Sequence, residues 1–412
     1  MSVSVVEHCR SCGADELIQV LKLGKVPVVN QFLSPSQALA ESPRYRLSLV
    51  RCNNCNLIQT DRAIHRTLIF GEDYPYLSSC SASLLEQSAK LVEQLVKDFA
   101  LDETSFVVEI ASNDGYLLRN FRRLGIDCLG IEPTPIAASH ARNQGIATIQ
   151  TYFGKQVADE IVDTRGKANL VIANNVVAHI AELNDFISGI SSLLHESGVF
   201  VFEVQYLPAL LEHGLFDMIY HEHHSYFTLS TIARVLKRHG LECFDAELFP
   251  AQGGSIRVYA APAGAAMSTS SRFKSLLRRD RELEPGIDAA MQQLQLHVDS
   301  VGHELRSLLK KFVDSGARVA AYGAAAKGVV LMNACELANM VEYVADINEH
   351  KQGCSFPGTQ LPVVSPEYLI EDKPDYVLLL IWNLAREVTD QFQGQDLQFI
   401  VPLPKVVVIP AV

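Results

Sequence analysis

The chain lacks an excess of positive charge. Its 412 residues include 35 Lys and Arg against 47 Asp and Glu, which gives a formal net charge of −12 at pH 7. A protein that binds duplex nucleic acid needs a basic face to displace counterions from the phosphates. The charge balance therefore argues against a nucleic-acid partner, and we expect none.

Long apolar runs are also missing. The longest uninterrupted stretches, such as 376–382, are far shorter than the ~18 residues that suggest a membrane helix. The first five residues do not show a basic region followed by an apolar core, which is the pattern of a secretory signal. We therefore expect a cytoplasmic protein of about two to three domains, with no membrane partner.

The nine cysteines are unevenly placed, and four of them form two close pairs. Cys9 and Cys12 form one C-x2-C motif, and Cys52 and Cys55 form a second one 39 residues later. Two such turns can supply four thiolates to one tetrahedral site, which is typical of structural zinc. A redox role for a single C-x-x-C motif is weaker, because neither motif follows a strand and opens a helix. We predict a zinc-binding module over residues 1–80.

A second motif combines an apolar strand, an acid and a small-residue turn. The run 106–110 carries Glu109 near its end, and residues 111–115 lead into a helix. The turn lacks G-x-G-x-x-G, which disfavours a dinucleotide, whereas an acid suits a cationic ammonium or sulfonium. Glu132, 23 residues after Glu109, suits two ribose hydroxyls. Together the two acids predict an S-adenosylmethionine (SAM) site; the alternative is that Glu109 caps a neighbouring element.

The next predicted strand also ends in polar residues. Asn174 and His179 follow an apolar run at the carboxyl edge of the sheet, which faces the ligand crevice in open α/β folds. His179 either contacts the ligand or is a satisfied core histidine. The predicted cofactor residues are Glu109, Ala111, Asn113, Gly115, Glu132 and Asn174.

The segment Tyr220–Tyr226 concentrates groups that can move protons. It places three histidines, one acid and two tyrosines within seven positions. The H-E-x-x-H spacing that would put two histidines on one helical face is absent, which disfavours a metal site. A histidine polarised by a glutamate suits abstraction of an acidic C–H proton. A histidine-rich surface loop is the alternative.

The last part of the chain repeats the strand, turn and helix pattern with a different charge. Residues 319–328 run from an apolar strand through Tyr322 and Gly323 to Lys327 at a helix start. Small residues with a cation suit a phosphate. A redox dinucleotide domain is the alternative, since Asp346 lies 23 residues after Gly323, but the turn lacks the second and third glycines.

The predicted fold class is α/β, because apolar runs alternate with helical segments on both sides of a long helix. We expect a class I SAM methyltransferase (Rossmann-like) domain over 81–262 and a second Rossmann-like domain over 263–412. Within the latter, apolar residues over 287–312 alternate in steps of three and four, as in a heptad seam. We favour a helix that links domains over a dimerising coiled coil, so a monomer is expected and a dimer stays open.

This order of motifs resembles the deoxysugar C-3 methyltransferases, which act on nucleoside-diphosphate-4-keto-6-deoxyhexoses. The resemblance covers essentially the whole chain: the four cysteines, E-I-x-S-N-D-G, Y-H-E-H-x-S-Y and Y-G-A-A-A-K-G. It implies SAM, structural zinc on the four cysteines, and a nucleotide sugar between the two α/β domains near Tyr322, Gly323 and Lys327. One departure is Ala111, where the family usually has Gly.

The resemblance also implies roles for the catalytic residues. His223 matches the family's base, with Tyr220 and Glu222 beside it, and Tyr76 and His179 match two further active-site residues. We expect His223, oriented by Glu222, to remove the proton at C-3 and leave an enolate. Tyr76, Tyr220 or His179 would stabilise the enolate oxygen. The alternatives are C- or O-methylation of a non-sugar molecule and a non-catalytic scaffold that binds zinc and a nucleotide.

Overall fold

The N-terminal part of the molecule is a small β module. The computed structural model describes residues 3–34, 42–71 and 77–410. The elements of the module are β1 (Val3–Val5), β2 (Leu17–Pro27), β3 (Arg44–Cys52), β4 (Ile58–Thr60), β5 (Arg62–Ile64) and α1 (Arg66–Ile69). Strands β2, β3 and β4 form an antiparallel sheet, and β1 pairs with β5. The fourth strand of the larger sheet, Ser225–Tyr226, comes from the middle of the chain and pairs with β4.

The middle domain is a seven-stranded sheet between helices. Its elements are α2 (Ala82–Asp98), β6 (Phe106–Ile110), α3 (Leu118–Arg123), β7 (Asp127–Ile131), α4 (Pro135–Asn143), β8 (Thr148–Ile149), α5 (Lys155–Arg165), β9 (Ala168–Asn174), α6 (Leu183–Leu193), β10 (Leu194–Gln205), α7 (Leu207–His213), β11 (Ser225–Tyr226), α8 (Leu229–Arg238), β12 (Leu241–Phe249) and β13 (Ser255–Pro262). The strand order is β12-β13-β10-β9-β6-β7-β8, and only β13 runs against its neighbours. Every residue of the interior strand β6 is buried, as expected for a strand covered on both faces.

The C-terminal domain begins with two helices and continues as a second sheet. Its elements are α9 (Ser271–Leu283), α10 (Ile287–Asp314), β14 (Val319–Tyr322), α11 (Ala326–Ala334), β15 (Val344–Ala345), β16 (Val363–Val364), α12 (Pro366–Asp372), β17 (Tyr376–Leu379), α13 (Ala385–Gln391), β18 (Gln398–Val401) and β19 (Val407–Pro410). The strand order is β16-β15-β14-β17-β18-β19, parallel except for β19. The predicted α/β fold class is therefore confirmed, with two parallel sheets after a four-cysteine module.

Helix α10 lies between the N-terminal module and the C-terminal sheet. Its apolar seam is buried from Ile287 to Leu305 in a core that also contains Leu21 of β2. In the last turns Leu309 is buried, whereas Leu308 and Phe312 of the predicted seam are partly buried. The helix packs against β2, α7 and β14. The seam thus connects parts of one chain, as the interpretation of a linking helix requires. Within the part of the chain that the structure describes, no helix combines the length and apolarity needed to cross a membrane.

Candidate active site

The four motif cysteines converge at one point. Their sulfur atoms all lie within 4.8 Å of one another, and Cys9, Cys52 and Cys55 are buried. In each motif the amide of the residue after the second cysteine donates to the carbonyl of the first, from Gly13 to Cys9 and from Asn56 to Cys52. Gly13 and Asn56 both have a positive φ, which closes each turn tightly. The predicted cluster is confirmed, and four convergent thiols form a donor set that fits zinc.

The cysteine module holds the histidine-rich segment directly. The guanidinium of Arg10, between Cys9 and Cys12, donates to the carbonyls of Thr60 at 2.9 Å and His224 at 3.3 Å. The amide of Thr60 also donates to the carbonyl of His224 at 3.0 Å. On the far side of the segment, Thr228 caps helix α8 in a reciprocal capping box with Thr231. The segment is therefore fixed between a cysteine turn and a helix start.

The turn after β6 has an unusual backbone. Ala111, Asn113 and Gly115 have φ values of +53°, +50° and +79°, a left-handed conformation that L side chains rarely adopt. Two features require glycine at position 115. One is its positive φ, and the other is that a Cβ there would lie 2.9 Å from the side chain of Ile146. Ala111 has a backbone conformation that favours glycine, so a glycine at this position would adopt the turn with less strain. Backbone strain of this kind is concentrated at ligand-binding sites.

Three buried carboxylates surround this turn. Glu109, Asp114 and Glu132 are at most 4% exposed. Burial, and then the neighbouring carboxylates of Glu132 and Asp114, raise the pKa of Glu109 well above its usual range. Burial also raises the pKa of Glu132. A bound cation at this position would relieve the cost of burying these acids, so the site fits the ammonium and sulfonium of SAM.

Several polar atoms at the turn have no protein partner within the described residues. They are Glu109 Oε2, Ser112 Oγ, Asp114 Oδ1 and Asn174 Oδ1. Buried polar atoms are almost always hydrogen-bonded in native proteins, so a cluster of them indicates a ligand. Glu132 differs, because its carboxylate accepts from the amides of Asn113 at 2.9 Å and Thr134 at 2.8 Å. Glu132 therefore shapes the turn, and its contact with a ribose stays a prediction.

The segment that precedes α2 is attached to the same turn. The amide of Ser78 donates to Asn113 Oδ1 at 2.8 Å, and the amide of Ser79 donates to Asp114 Oδ2 at 3.1 Å. Tyr76 lies outside the described residues, so its role stays a prediction from the sequence.

His223 is buried next to two other rings. Its Nδ1 donates to the carbonyl of Met218 at 3.1 Å. Its ring centroid lies 4.0 Å from that of Tyr220 and 4.7 Å from that of His179. Burial, and then the neighbouring His179, lower the pKa of His223 well below its usual value, and burial lowers the pKa of His179 to about 4. A neutral imidazole with a hydrogen on Nδ1 has its lone pair on Nε2, which makes Nε2 the basic atom.

Glu222 does not orient His223, which corrects the expected pairing. Its carboxylate accepts from the side-chain amide of Asn30 at 2.9 and 3.1 Å, and burial raises its pKa to about 8. The imidazole of His223 is held by a main-chain carbonyl instead, and Glu222 connects the segment to the N-terminal module.

The second strand–turn–helix motif places Lys327 at the start of α11. Gly323 has a φ of +98°, and a Cβ there would lie 2.7 Å from Ile381. The Lys327 ammonium donates to Asn383 Oδ1 and lies 4.9 Å from the ring centre of Trp382. Burial lowers its pKa to about 8. Tyr322 is buried and donates to Gln391 at 3.4 Å, so it supports the strand end.

Asp346 occupies part of the same turn. Its Oδ2 accepts from the amide of Ala324 at 2.5 Å, and its Oδ1 accepts from the amide of Asn348 at 2.8 Å. The acid that a redox dinucleotide domain would use for a ribose is thus already bonded to the turn. Glu132 makes the same pair of contacts in the first turn, so this geometry does not separate the phosphate interpretation of Lys327 from the dinucleotide one.

Sequence patterns missed several residues around the site. Asp114 lies inside the recognised turn, so its acid could have been included with Glu109. Asn30 contacts Glu222 across 192 positions, and no local pattern indicates such a pair. His223 is held by the main-chain carbonyl of Met218. Because every residue type has such a carbonyl, no sequence pattern indicates this contact.

Three sequence families match successive parts of the chain. The family described as "Putative zinc binding domain" matches residues 9–70, "Methyltransferase domain" matches 84–246, and "C-methyltransferase C-terminal domain" matches 250–404. The three matches follow the order of the cysteine module, the first α/β domain and the second.

The chain is also similar to individual methyltransferases. It is 34% identical to the C-methyltransferase NovU of Streptomyces niveus over 413 residues, which cover 99% of this chain and 98% of NovU. It is 25% identical over 118 residues to a ubiquinone biosynthesis O-methyltransferase of Azorhizobium caulinodans, covering 26% of this chain and 46% of that protein. A solved S-adenosylmethionine-dependent methyltransferase from Clostridium acetobutylicum ATCC 824 aligns with 44% of this chain and 92% of its own at 12% identity and a TM-score of 0.35. On the full-length match to NovU, the chain belongs to the family of SAM-dependent C-methyltransferases.

Proposed function

We propose that this C-methyltransferase adds a methyl group to C-3 of a nucleoside-diphosphate-4-keto-6-deoxy sugar. The observation that carries the proposal is the pairing of two turns of opposite charge with one buried imidazole. The acidic turn at Glu109 suits the cationic cofactor, Lys327 suits a diphosphate, and His223 belongs to a segment held between the cysteine module and the start of helix α8. A nucleotide ketosugar has both an anionic end and an acidic C–H group next to a ketone.

His223 acts as the base in this proposal. Its low pKa keeps the imidazole neutral at physiological pH, and the hydrogen bond from Nδ1 to the Met218 carbonyl leaves Nε2 to accept the C-3 proton. Loss of that proton gives an enolate whose oxygen needs a nearby donor. Tyr220 lies against the His223 ring and suits this role, as do His179 and, from the sequence alone, Tyr76.

The two bound groups complete the site. Glu109, Ala111, Asn113, Gly115, Glu132 and Asn174 would hold SAM, which supplies the electrophilic methyl group when bound. Zinc on Cys9, Cys12, Cys52 and Cys55 would be structural, because all four ligands come from the protein and leave no open position. Tyr322 and Gly323 would support Lys327 around the anionic end of the sugar.

A methyl-transfer assay over a panel of nucleotide sugars tests the proposal. We expect turnover only with 4-keto substrates, and product NMR should show a methyl group on carbon rather than an O–CH3 signal. His223→Asn should lower both methyl transfer and solvent exchange of the C-3 proton by about 10²- to 10⁴-fold. An O-methyl product, or turnover of a non-sugar alone, would contradict the substrate proposal, and wild-type exchange in His223→Asn would contradict the role of the base.

A further inference from the structure

One buried carboxylate near the site has no part in the reaction described so far. Asp217 lies in the short 3₁₀ turn Phe216–Met218, between α7 and the histidine-rich segment, and is fully buried. Its Oδ2 accepts a hydrogen bond from Trp382 Nε1 at 2.6 Å. Its Oδ1 finds no partner among the described residues. Burying a carboxylate is costly, so its hydrogen bond to Trp382 and its electrostatic interaction with Lys327, both in the C-terminal domain, call for an explanation.

The residue next to Asp217 holds the proposed base. The carbonyl of Met218 accepts the hydrogen bond from His223 Nδ1 at 3.1 Å. The Met218 carbonyl belongs to the next peptide unit of the same 3₁₀ turn, so a displacement of this turn at Asp217 also displaces the carbonyl. The direction of that carbonyl fixes both the tautomer of His223 and the orientation of its ring.

Trp382 connects Asp217 to the cationic turn. The indole that donates to Asp217 also lies 4.9 Å from the Lys327 ammonium, and the neighbouring Asn383 accepts from that ammonium. Helix α11, which begins beside Lys327, packs against the turn Phe216–Met218. An anion that binds Lys327 would compete with Asn383 and with the indole face for the ammonium.

We propose that Asp217 and Trp382 are positioning residues that couple occupation of the Lys327 site to the orientation of the His223 imidazole. The inference rests on the proposed function, in which Lys327 binds the anionic end of the substrate and His223 is the base. Through this contact, binding energy from the non-reacting diphosphate supports proton removal at the sugar. The coupling predicts an effect on kcat rather than on KM alone.

Fluorescence tests the first half of the coupling without any turnover. Trp382 is the only tryptophan of the chain, so emission excited at wavelengths that tyrosine does not absorb reports on the surroundings of this indole. Titration of the full chain with inorganic pyrophosphate, and separately with UDP and dTDP, should change the emission saturably. The change should disappear in Lys327→Met. Unchanged emission with all three probes, or an equal change in Lys327→Met, would overturn the inference.

Kinetics test the second half. Trp382→Phe removes the N–H donor and Asp217→Ala removes the acceptor, and we expect each to lower the rate of C-3 proton exchange and kcat by about tenfold, with KM changed less than twofold. Asp217→Asn keeps an oxygen acceptor and should restore most of the rate. Because the two residues act through one hydrogen bond, the double variant Asp217→Ala/Trp382→Phe should be little slower than either single variant.

A matched control separates this role from a general loss of stability. Tyr343→Phe removes an aromatic donor from a carboxylate in the same domain, since Tyr343 donates to Asp372 at 2.9 Å, and its kcat should stay at the wild-type value. Wild-type kcat in both Trp382→Phe and Asp217→Ala would overturn the inference while leaving the proposed function intact. A wild-type enzyme that methylates none of the nucleotide ketosugars would instead overturn the proposed function, which the fluorescence result would not.

Discussion

The two strand–turn–helix motifs of the molecule have the same architecture and opposite chemistry. The turn after β6 contains three left-handed residues and is surrounded by the buried acids Glu109, Asp114 and Glu132. The turn after β14 contains one left-handed glycine, Gly323, and leads to a half-buried lysine. The shared strand–turn–helix architecture thus only places a ligand site at the edge of the sheet. The charge placed there decides whether a cation or an anion suits the site.

The largest effect on ligand binding should come from removing the acid of the first turn. Glu109→Gln keeps the shape of the side chain but leaves a bound sulfonium and ammonium without this counter-charge. We expect the Kd of SAM to rise about 30-fold or more, since losing one partner of a buried charge pair costs at least ~2 kcal/mol. Isothermal titration calorimetry measures the Kd of SAM, and Glu103→Gln, at an exposed position, is the control. An unchanged Kd would show that the acids serve the fold alone.

The corresponding change in the second turn should leave SAM binding untouched. Lys327→Met removes the ammonium and keeps the aliphatic stem, and we expect the KM of the nucleotide sugar to rise about tenfold through loss of a charged hydrogen bond. The Kd of SAM should stay at the wild-type value. Lys405→Met, an exposed lysine of the same domain, controls for net charge. A parallel loss of SAM affinity would contradict the division of labour between the turns.

The pH dependence of the KM for the nucleotide sugar should show a smaller effect. Burial lowers the pKa of Lys327 to about 8, so the ammonium is charged below this pH and loses its proton above it. The KM of the nucleotide sugar should therefore be flat below pH 8 and rise severalfold toward pH 9. Lys327→Arg keeps its charge over this range and should abolish the rise. A rise that persists in Lys327→Arg would assign it to another group.

The smallest effect concerns the backbone of the first turn. Ala111→Gly removes the penalty of a left-handed alanine, and we expect the free energy of unfolding to rise by about 1 kcal/mol. Ala100, which has a φ of +49°, offers the matched comparison. Ala100→Gly should give a similar gain, and denaturant titration measures both. A loss of stability in Ala111→Gly alone would mean that the methyl group packs usefully in the turn.

Local patterns predicted the parts of the molecule that local chemistry builds. The cysteine spacing predicted the cluster because each turn is closed within five residues, and Glu109 was found because an acid interrupts a buried strand. The predicted orientation of His223 by Glu222 was wrong because adjacent residues in an irregular segment need not face each other. Glu222 instead contacts Asn30, which only the completed fold brings near. The roles of the site residues stay predictions.

The short strand β11 makes the cysteine module inseparable from the middle of the chain. Ser225 and Tyr226 complete a sheet whose other strands end at Thr60. During synthesis the edge of β4 therefore stays unpaired until more than 160 further residues have been made. Grafting the first 80 residues onto another protein would leave that edge open to pairing with other chains. Recombination within this family would then succeed only where the cysteine module and the histidine-rich segment are inherited together.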